Sequence, residues 1–291
     1  MALFAADDRP TDVTSPASRI EPTPVPPAVV AIEVVAEDAE LAADELFRLG
    51  ASAVSESPGP SGHVVLVADL PPVAIGSITR PFTVVDPQAS WTEGWRDHAR
   101  AWEAGPFVVR PPWVPRPVDV SARFDLVIDP GTAFGSASHA STRQCLALLA
   151  DLAPTGSRVV DVGCGSGVLS IAAALLGAAH VVAVDVDPAA LRATAANAEA
   201  NGVGDRIDVS ATPVRELAPG GADVVLANLL VPILEDHGPT LVGLVRPGGV
   251  IVAAGFLTDQ RVRVAAALEP ARIETAQESA PWTAVVARRP L

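Results

Sequence analysis

The sequence predicts an α/β fold: a mostly parallel sheet covered by helices on both faces, preceded by a smaller α/β domain. From about Ser121 to the C-terminus, segments of strand and helix character alternate, which is typical of successive βαβ units. Within this region, residues 159–187 read as strand, glycine-rich turn, helix and strand. Such a turn lets a ligand approach the backbone closely, so we expect the ligand class to decide the function.

The composition fits a globular protein with an acidic front. The chain has 291 residues, of which 49% are hydrophobic, and this is enough for a substantial core and for two domains. The net charge of −14 disfavours a surface built for nucleic-acid phosphates and suits either solubility or a basic partner. Eleven acidic residues and three arginines lie in residues 1–60, so −8 of the −14 belongs to the first fifth of the chain.

Cysteine usage and the N-terminus indicate a cytoplasmic protein. Cys145 and Cys164 are the only cysteines, too few for a disulfide framework and without partners at metal-ligand spacing. The N-terminus carries acidic residues where a signal peptide would carry Lys or Arg. No segment reaches the ~20 apolar residues that span a bilayer. We therefore expect no bound metal and no membrane segment.

The front of the chain divides into a tail and a small domain. Residues 1–27 contain six prolines and little apolar surface, so we expect a disordered tail. Residues 28–86 are expected to form a small α/β domain. Its strand, helix and two further strands are expected, in that order, at 28–36, 38–50, 51–57 and 62–70.

Residues 87–120 read as a linker rich in Trp and Pro. Four of the five tryptophans lie here, and Ser90 and Glu93 have capping-box spacing, which predicts a short helix. Two roles stay open for the indoles: packing one domain on the other, or lining a substrate groove. The following segment RPPWVPRP is expected to be a stiff Pro-rich connector.

The large domain, residues 121–291, alternates strands and helices. Strands are expected at 158–162, 180–185, 206–210, 222–227, 249–254, 271–277 and 282–288. Helices are expected at 142–152, 168–176, 188–201, 232–245 and 258–268. This order predicts a sheet whose ligand site lies at the carboxyl ends of its parallel strands.

The glycine turn departs from the dinucleotide fingerprint. G-x-G-x-x-G requires a third glycine three positions after the second, whereas here Gly163, Gly165 and Gly167 alternate and position 168 is Val. Asp161 precedes the turn, where a carboxylate can meet a cationic amino group directly or through water. Asp185 follows the next strand, where a carboxylate can accept both hydroxyls of a ribose. A ligand with an ammonium, a carboxylate and a nucleoside but no pyrophosphate satisfies both positions, and S-adenosylmethionine is such a ligand.

Alternatives compete at several positions. Asp185 can instead cap the next helix, although Asp187 and Pro188 suit the N-cap and N1 positions better. Asn228 ends the fourth strand, where its amide can orient an attacking amine, or it forms a turn. Cys164 is expected to be a small filler and not a nucleophile. A lone loop histidine, His139, is either a base or structural.

These motifs together resemble the bacterial methyltransferases of large-subunit ribosomal protein L-eleven, the PrmA-type enzymes. DPGTAFGSASHASTRQCLALL is similar to that family's signature loop and following helix, DVGCGSGVLSIAAALLGA to its cofactor motif, ANLL to its strand-four motif and RPGGVIVAAGFLTDQ to its fifth-strand segment. The similarity covers roughly residues 28–291. It implies a small domain that recognises the ribosomal protein, a linker, and a Rossmann-like, seven-stranded class I methyltransferase domain.

The resemblance also implies site residues. It assigns S-adenosylmethionine contacts to Thr142, Gly163, Asp185 and Asn228, beside Asp161 and Gly165 from the turn. From the residues alone, Ser141 and Gln144 instead indicate a capping box around Thr142. The signature loop differs from the family's common pattern, with Ala137 in place of a glycine that would allow wider backbone conformations. The other differences are Ser136, Ser138 and Ala140, where Thr, Thr and Pro are common.

The function expected from this resemblance is S-adenosylmethionine-dependent methylation of lysine or amino groups on a ribosomal protein, with Asn228 as the catalytic residue. The partner is expected to be a basic protein, with no direct contact to nucleic acid or membrane. Three alternatives stay open: methylation of another protein or a small amine, a cofactor-binding module without turnover, and a dinucleotide oxidoreductase.

Overall fold

The computed structural model describes residues 28–35, 38–51, 54–58, 63–85, 100–129, 139–279 and 281–291. The predicted tail, residues 90–99 of the short helix predicted over SWTEGWRDHARAW (90–102), and signature-loop residues 130–138 lie outside the described residues. The last residue of that helix prediction, Trp102, lies in a strand. Within the described ranges, no helix is long and apolar enough to cross a membrane. The same ranges contain no group of three or more His, Cys, Asp or Glu side chains that could hold a metal ion.

The front of the chain forms a four-stranded antiparallel sheet with one helix. Its elements are β1 (Ala28–Val35), α1 (Ala39–Arg48), β2 (Val54–Pro58), β3 (His63–Leu70) and β4 (Thr83–Val85), and the strand order is β2-β3-β1-β4. Ile32, Leu46 and Leu66 are buried in a shared core, because α1 and the alternating residues of the sheet turn their apolar sides toward each other. The predicted order of one strand, one helix and two strands is therefore confirmed, and β4 is an addition to it.

Residues 102–127 contain a second small sheet that the linker prediction did not include. Its strands are β5 (Trp102–Ala104), β6 (Phe107–Arg110) and β7 (Phe124–Val127), with β6 antiparallel to β5 and parallel to β7. Phe107 and Leu126 are fully buried in a core that they share with the large sheet. These strands form because the apolar run at 107–109 is drawn into that core, whereas residues 111–117 of the predicted Pro-rich connector contain no helix or strand. The domain boundaries at 86 and 120 stay a prediction.

Trp102 packs in this region. It lies against the shared core, and the Arg143 guanidinium carbon lies 4.9 Å from the centroid of its ring. An arginine over an indole face is a favourable cation–π arrangement. This contact supports the packing role, of the two roles left open, for this tryptophan.

The large sheet has seven strands. They are β8 (Arg158–Val162), β9 (His180–Val184), β10 (Ile207–Ser210), β11 (Ala222–Asn228), β12 (Val245–Leu257), β13 (Arg272–Ser279) and β14 (Trp282–Arg288). The spatial order is β10-β9-β8-β11-β12-β14-β13, and only β14 runs antiparallel to the other six strands. All seven predicted strands are confirmed, and β12 is the one whose extent was most underestimated.

Helices cover both faces of this sheet. They are α2 (Ala140–Leu152), α3 (Val168–Leu175), α4 (Pro188–Ala200), α5 (Val231–Leu244) and α6 (Arg261–Ala267). The first three belong to one buried cluster, with Leu149 and Ile171 at its centre, and the last two to another, around Leu241. All five predicted helices are confirmed, and the arrangement is the three-layer packing expected for a mostly parallel sheet.

The chain reverses direction between β8 and β11. From β8 it proceeds through β9 to β10 at one edge, then returns to β11 on the other side of β8. In open α/β sheets the crevice outside the carboxyl ends of the strands at such a reversal is where ligands bind. The residues at the carboxyl ends of β8, β9 and β11 are therefore the candidates for a ligand site.

Candidate functional site

Three sequence-predicted positions meet at this crevice. The glycine turn follows β8, Asp185 follows β9, and Asn228 is the last residue of β11. Because β9, β8 and β11 are adjacent parallel strands, their carboxyl ends lie side by side. The crevice thus combines a backbone turn, a carboxylate and an amide.

The glycine turn is held by its own amides. Gly163 N and Cys164 N donate to Val184 O at 2.8 and 3.1 Å, and Gly167 N donates to Cys164 O at 2.8 Å. Gly165 N donates to Asp185 Oδ2 at 2.9 Å. These N–H groups are engaged within the protein, so they do not form the anion cradle that a pyrophosphate uses at such turns. This observation favours a ligand without pyrophosphate.

Asp185 connects the turn to the next helix. Besides Gly165 N, its carboxylate accepts from Asp187 N at 3.0 Å through Oδ1. Each carboxylate oxygen can accept a second hydrogen bond, so the half-exposed carboxylate retains capacity for two hydroxyl donors. Asp187 accepts from Ala189 N at 2.8 Å and is the N-cap of α4, with Pro188 following. The prediction that Asp187 and not Asp185 caps this helix is confirmed.

Asp161 lies beneath the turn and is only 1% exposed. Its Oδ2 accepts from Ser170 Oγ, in the first turn of α3, at 2.6 Å. Burial raises its pKa to about 6, against the lowering effect of the Ser170 hydrogen bonds, and the nearby Asp185 charge raises the pKa further. The Ser170 contact was not evident from the sequence, and contact of Asp161 with a ligand stays a prediction.

Cys164 packs within the turn. Its Sγ accepts from Thr194 Oγ1 at 3.3 Å, and burial, followed by the Asp161 charge, raises the pKa of its thiol to about 12. Burial likewise raises the pKa of Cys145, on α2. Thiols with raised pKa values are poor nucleophiles, which agrees with the filler role predicted for Cys164.

The start of α2 adds Thr142 to the crevice. Asn228 Nδ2 donates to Thr142 Oγ1 at 3.2 Å, and Thr142 is 5% exposed. The sequence pattern alone did not place these two residues together; only the resemblance named both.

The capping box predicted around Thr142 was wrong. His139 is the N-cap of α2, and its Nδ1 accepts from Ser141 N at 3.2 Å. Gln144 Nε2 donates instead to Trp282 O at 3.0 Å. The His139 ring meets Trp282 edge-on at 4.5 Å. Nδ1 therefore acts as an acceptor here, which supports the structural alternative for His139.

Two further features were missed from the sequence. Gly255, with φ +88°, lies where the pairing of β12 with β14 shifts register, and a Cβ there would be 2.7 Å from Leu229 O. A lone glycine inside an apolar strand pattern is the signal that indicates such a bulge. Val186 is 92% exposed directly after Asp185. It offers an apolar surface beside the carboxylate.

The order of the seven strands, the antiparallel β14 and the acid-flanked glycine turn define a Rossmann-like class I methyltransferase fold. A sequence model of one family with this fold, described as ribosomal protein L11 methyltransferase (PrmA), matches residues 78–290. The chain therefore belongs to the ribosomal protein L11 methyltransferase family.

Individual relatives agree with this assignment. The chain is 40% identical over 229 residues to the ribosomal protein L11 methyltransferase of Pelotomaculum thermopropionicum, covering 77% of this chain and 72% of that protein. It is 37% identical over 234 residues to the one from Synechococcus, covering 74% and 77%. The crystal structure of the ribosomal protein L11 methylase from Lactobacillus delbrueckii subsp. bulgaricus superposes with a TM-score of 0.60 at 28% identity, covering 66% of this chain and all of that one.

Proposed function

We propose that this chain is an S-adenosylmethionine-dependent protein methyltransferase that modifies amino groups, lysine side chains among them, of ribosomal protein L11. The observation that carries the proposal is the juxtaposition of Thr142 and Asn228 beside the Asp185 carboxylate and the glycine turn, in a chain that belongs to the family. The acidic net charge of −14 fits a basic acceptor, because complementary charge steers association. A ribosomal acceptor would support the cytoplasmic location expected from the sequence.

The crevice fits the methyl donor. Asp185 has acceptor capacity for the two ribose hydroxyls, and the exposed Val186 side chain beside it offers a surface on which the flat base can pack. The Asp161 and Asp185 carboxylates favour a ligand that carries positive charge. S-adenosylmethionine, when bound, supplies a methyl group already activated by its sulfonium.

The protein's part in the reaction is to orient the acceptor and to exclude water. Asn228 Nδ2 donates to Thr142, so Asn228 Oδ1 is the atom that accepts a hydrogen bond from the substrate amine. This hydrogen bond orients the amine lone pair. A lysine amine has an unperturbed pKa of ~10.4 and must lose its proton before it attacks. Transfer into a desolvated site lowers that pKa, so no dedicated base is needed. Alignment of two reactants contributes up to ~7–11 kcal/mol in favourable systems.

The experiment is methyl transfer from labelled S-adenosylmethionine to the ribosomal proteins of the source cell, followed by mass spectrometry of the labelled species. We expect label on ribosomal protein L11, and none when Asn228→Ala replaces the wild type over the same period. Label on another protein or a small amine would contradict the proposed acceptor. Cofactor binding without any labelled product would indicate a module without turnover, and NAD(P) binding would indicate an oxidoreductase.

A further inference from the structure

Two asparagines of α4, Asn197 and Asn201, bind the backbone of the segment that leads out of β7. Asn201 Oδ1 accepts from Val127 N at 2.9 Å, and its Nδ2 donates to Val127 O at 2.6 Å. Asn197 Oδ1 accepts from Asp129 N, and its Nδ2 donates to Asp129 O, both at 2.9 Å. Each side-chain amide thus pairs with one residue as a neighbouring strand would.

The geometry of helix and strand explains why this arrangement fits. Residues i and i+2 of a strand present their N–H and C=O groups to the same side, about 6.6 Å apart. Residues i and i+4 of a helix lie on one face, about 6 Å apart along the axis. Asn197 and Asn201 are four apart, whereas Val127 and Asp129 are two apart. The helix therefore substitutes for a strand at this edge of β7.

Asn197 makes one contact that Asn201 does not. Its Nδ2 also donates to Ser166 O at 2.9 Å, inside the glycine turn. Asn197 is only 3% exposed, and both of its N–H donors and its carbonyl oxygen are engaged. The second amide donor of Asn201 goes to Asn197 O at 2.7 Å and stays within the helix. One buried side chain thus binds both the glycine turn and the Asp129 backbone.

We propose that Asn197 is a positioning residue for the donor site: it fixes the glycine turn relative to the segment that ends at Asp129, and so sets the affinity for S-adenosylmethionine. The inference rests on the proposed function. Asn197 acts through Ser166 O and Asp129, not through contact with the ligand. Asn201 binds the backbone of Val127 but does not contact the glycine turn. It is therefore a matched control on the same face of the same helix.

The test compares the full-length wild type, Asn197→Ala and Asn201→Ala, at a temperature below the unfolding transitions of all three. Calorimetry measures the dissociation constant for S-adenosylmethionine. Amide hydrogen exchange, read by NMR, follows Asp129 N–H, which reports the Asn197 contact, and Val127 N–H, which reports the Asn201 contact. We expect Asn197→Ala to raise the dissociation constant about tenfold and Asn201→Ala to change it less than about twofold. Each variant accelerates exchange at its own reporter amide.

Two results would overturn the inference: wild-type affinity in Asn197→Ala, or an equal loss of affinity in Asn201→Ala. Either would make Asn197 a stabilising residue only. If Asn197→Ala does not fold, Asn197→Ser serves, because it keeps a neutral polar group at the buried position and removes the side-chain amide that binds Ser166 O and Asp129. A wild type that does not bind S-adenosylmethionine contradicts the proposed function itself, whereas wild-type binding with an unaffected Asn197 variant contradicts this inference alone.

Discussion

Asn228 Nδ2 donates to Thr142 Oγ1 at 3.2 Å, joining the end of β11 to the first turn of α2. The contact fixes which end of the Asn228 amide is available to a ligand. Asn228 Oδ1 lies 3.1 Å from the position that a Cβ on Gly255 would occupy, so the glycine at the bulge of β12 leaves room for this oxygen. The environment of the Asn228 amide therefore depends on two elements that follow different sequence signals.

Replacing Asn228 should impair turnover much more than stability. Asn228→Ala removes the side-chain oxygen that we propose directs the amine, and a misaligned reactant costs about 100-fold in rate. The loss of one half-buried hydrogen bond costs only about 1 kcal/mol of unfolding free energy. Single-turnover methyl transfer and urea unfolding measure the two effects. Wild-type transfer rates in this variant would remove the role assigned to Asn228.

Thr142→Val tests whether Asn228 acts alone. Valine keeps the shape of the side chain and removes the oxygen that accepts from Nδ2, so the amide is free to turn. We expect a smaller loss of turnover than in Asn228→Ala, and a coupling energy of about 0.5–3 kcal/mol between the two positions in a double-mutant cycle. Additive losses would show that the 3.2 Å contact does not matter for catalysis.

Asp185→Ala should lower the affinity for S-adenosylmethionine by more than about 100-fold, because in the proposed donor site the carboxylate accepts the ribose hydroxyls while it holds Gly165 N. Asp187→Ala, two residues away, is the control. It removes the N-cap of α4 and costs about 1 kcal/mol of stability, but it should leave the affinity within about twofold. Calorimetry on both variants measures their dissociation constants for S-adenosylmethionine. Unchanged affinity in Asp185→Ala would place the donor elsewhere.

Asp161 should make the stability of the protein depend on pH. Its pKa is raised from 3.8 to about 6, mainly by burial, so the folded state holds the proton more tightly than the unfolded chain does. The stabilisation that protonated Asp161 contributes is complete below pH 3.8 and is lost as the pH rises through about 6. With 1.36 kcal/mol for each pKa unit, the loss amounts to about 3 kcal/mol.

Asp161→Asn removes this titration. The free energy of unfolding of the wild type, minus that of Asp161→Asn, should fall by about 3 kcal/mol between pH 3.5 and pH 7.5. Urea unfolding of both proteins across this range measures the difference, and all other titrating groups cancel between them. A difference that stays constant with pH would show that the pKa of Asp161 is the same in the folded and unfolded states.

The sequence was sufficient for the architecture of the large sheet. Its strands are valine-rich runs separated by helices with clear stop and start signals, such as Asp187 and Pro188 before α4, so local pattern and tertiary structure agree. The positions of Asp185 and Asn228 at the ends of strands likewise predicted that both lie at one crevice, because parallel strands bring their carboxyl ends together.

Features that depend on partners distant in sequence were not predictable in this way. The apolar run at 107–109 is too short to distinguish a strand from a connector until the core that receives Phe107 is known. Ser141 and Gln144 have capping-box spacing, but Trp282, 138 residues from Gln144, provides a competing acceptor for the Gln144 side chain. Asn197 reads as an ordinary helix residue, and only the fold shows it bound to Asp129 and Ser166.

Gly167 should be more sensitive to substitution than other left-handed glycines. It has φ +81°, and a Cβ there would lie 2.8 Å from Thr194 Cγ2 and 3.0 Å from Thr194 Cα, where α3 packs against α4. Gly220 has a similar φ of +69° with nothing within 4 Å of such a Cβ, so Gly220→Ala shows the conformational cost alone, about 1–2 kcal/mol. Gly167→Ala should exceed that loss of unfolding free energy by about 1–3 kcal/mol, because the neighbouring backbone cannot move away freely. It should also weaken S-adenosylmethionine binding, since the displaced turn carries Gly165 and its contact with Asp185. Equal losses of stability in the two variants would show that α3 and α4 separate without cost, and the close approach at Thr194 would then not be what requires glycine.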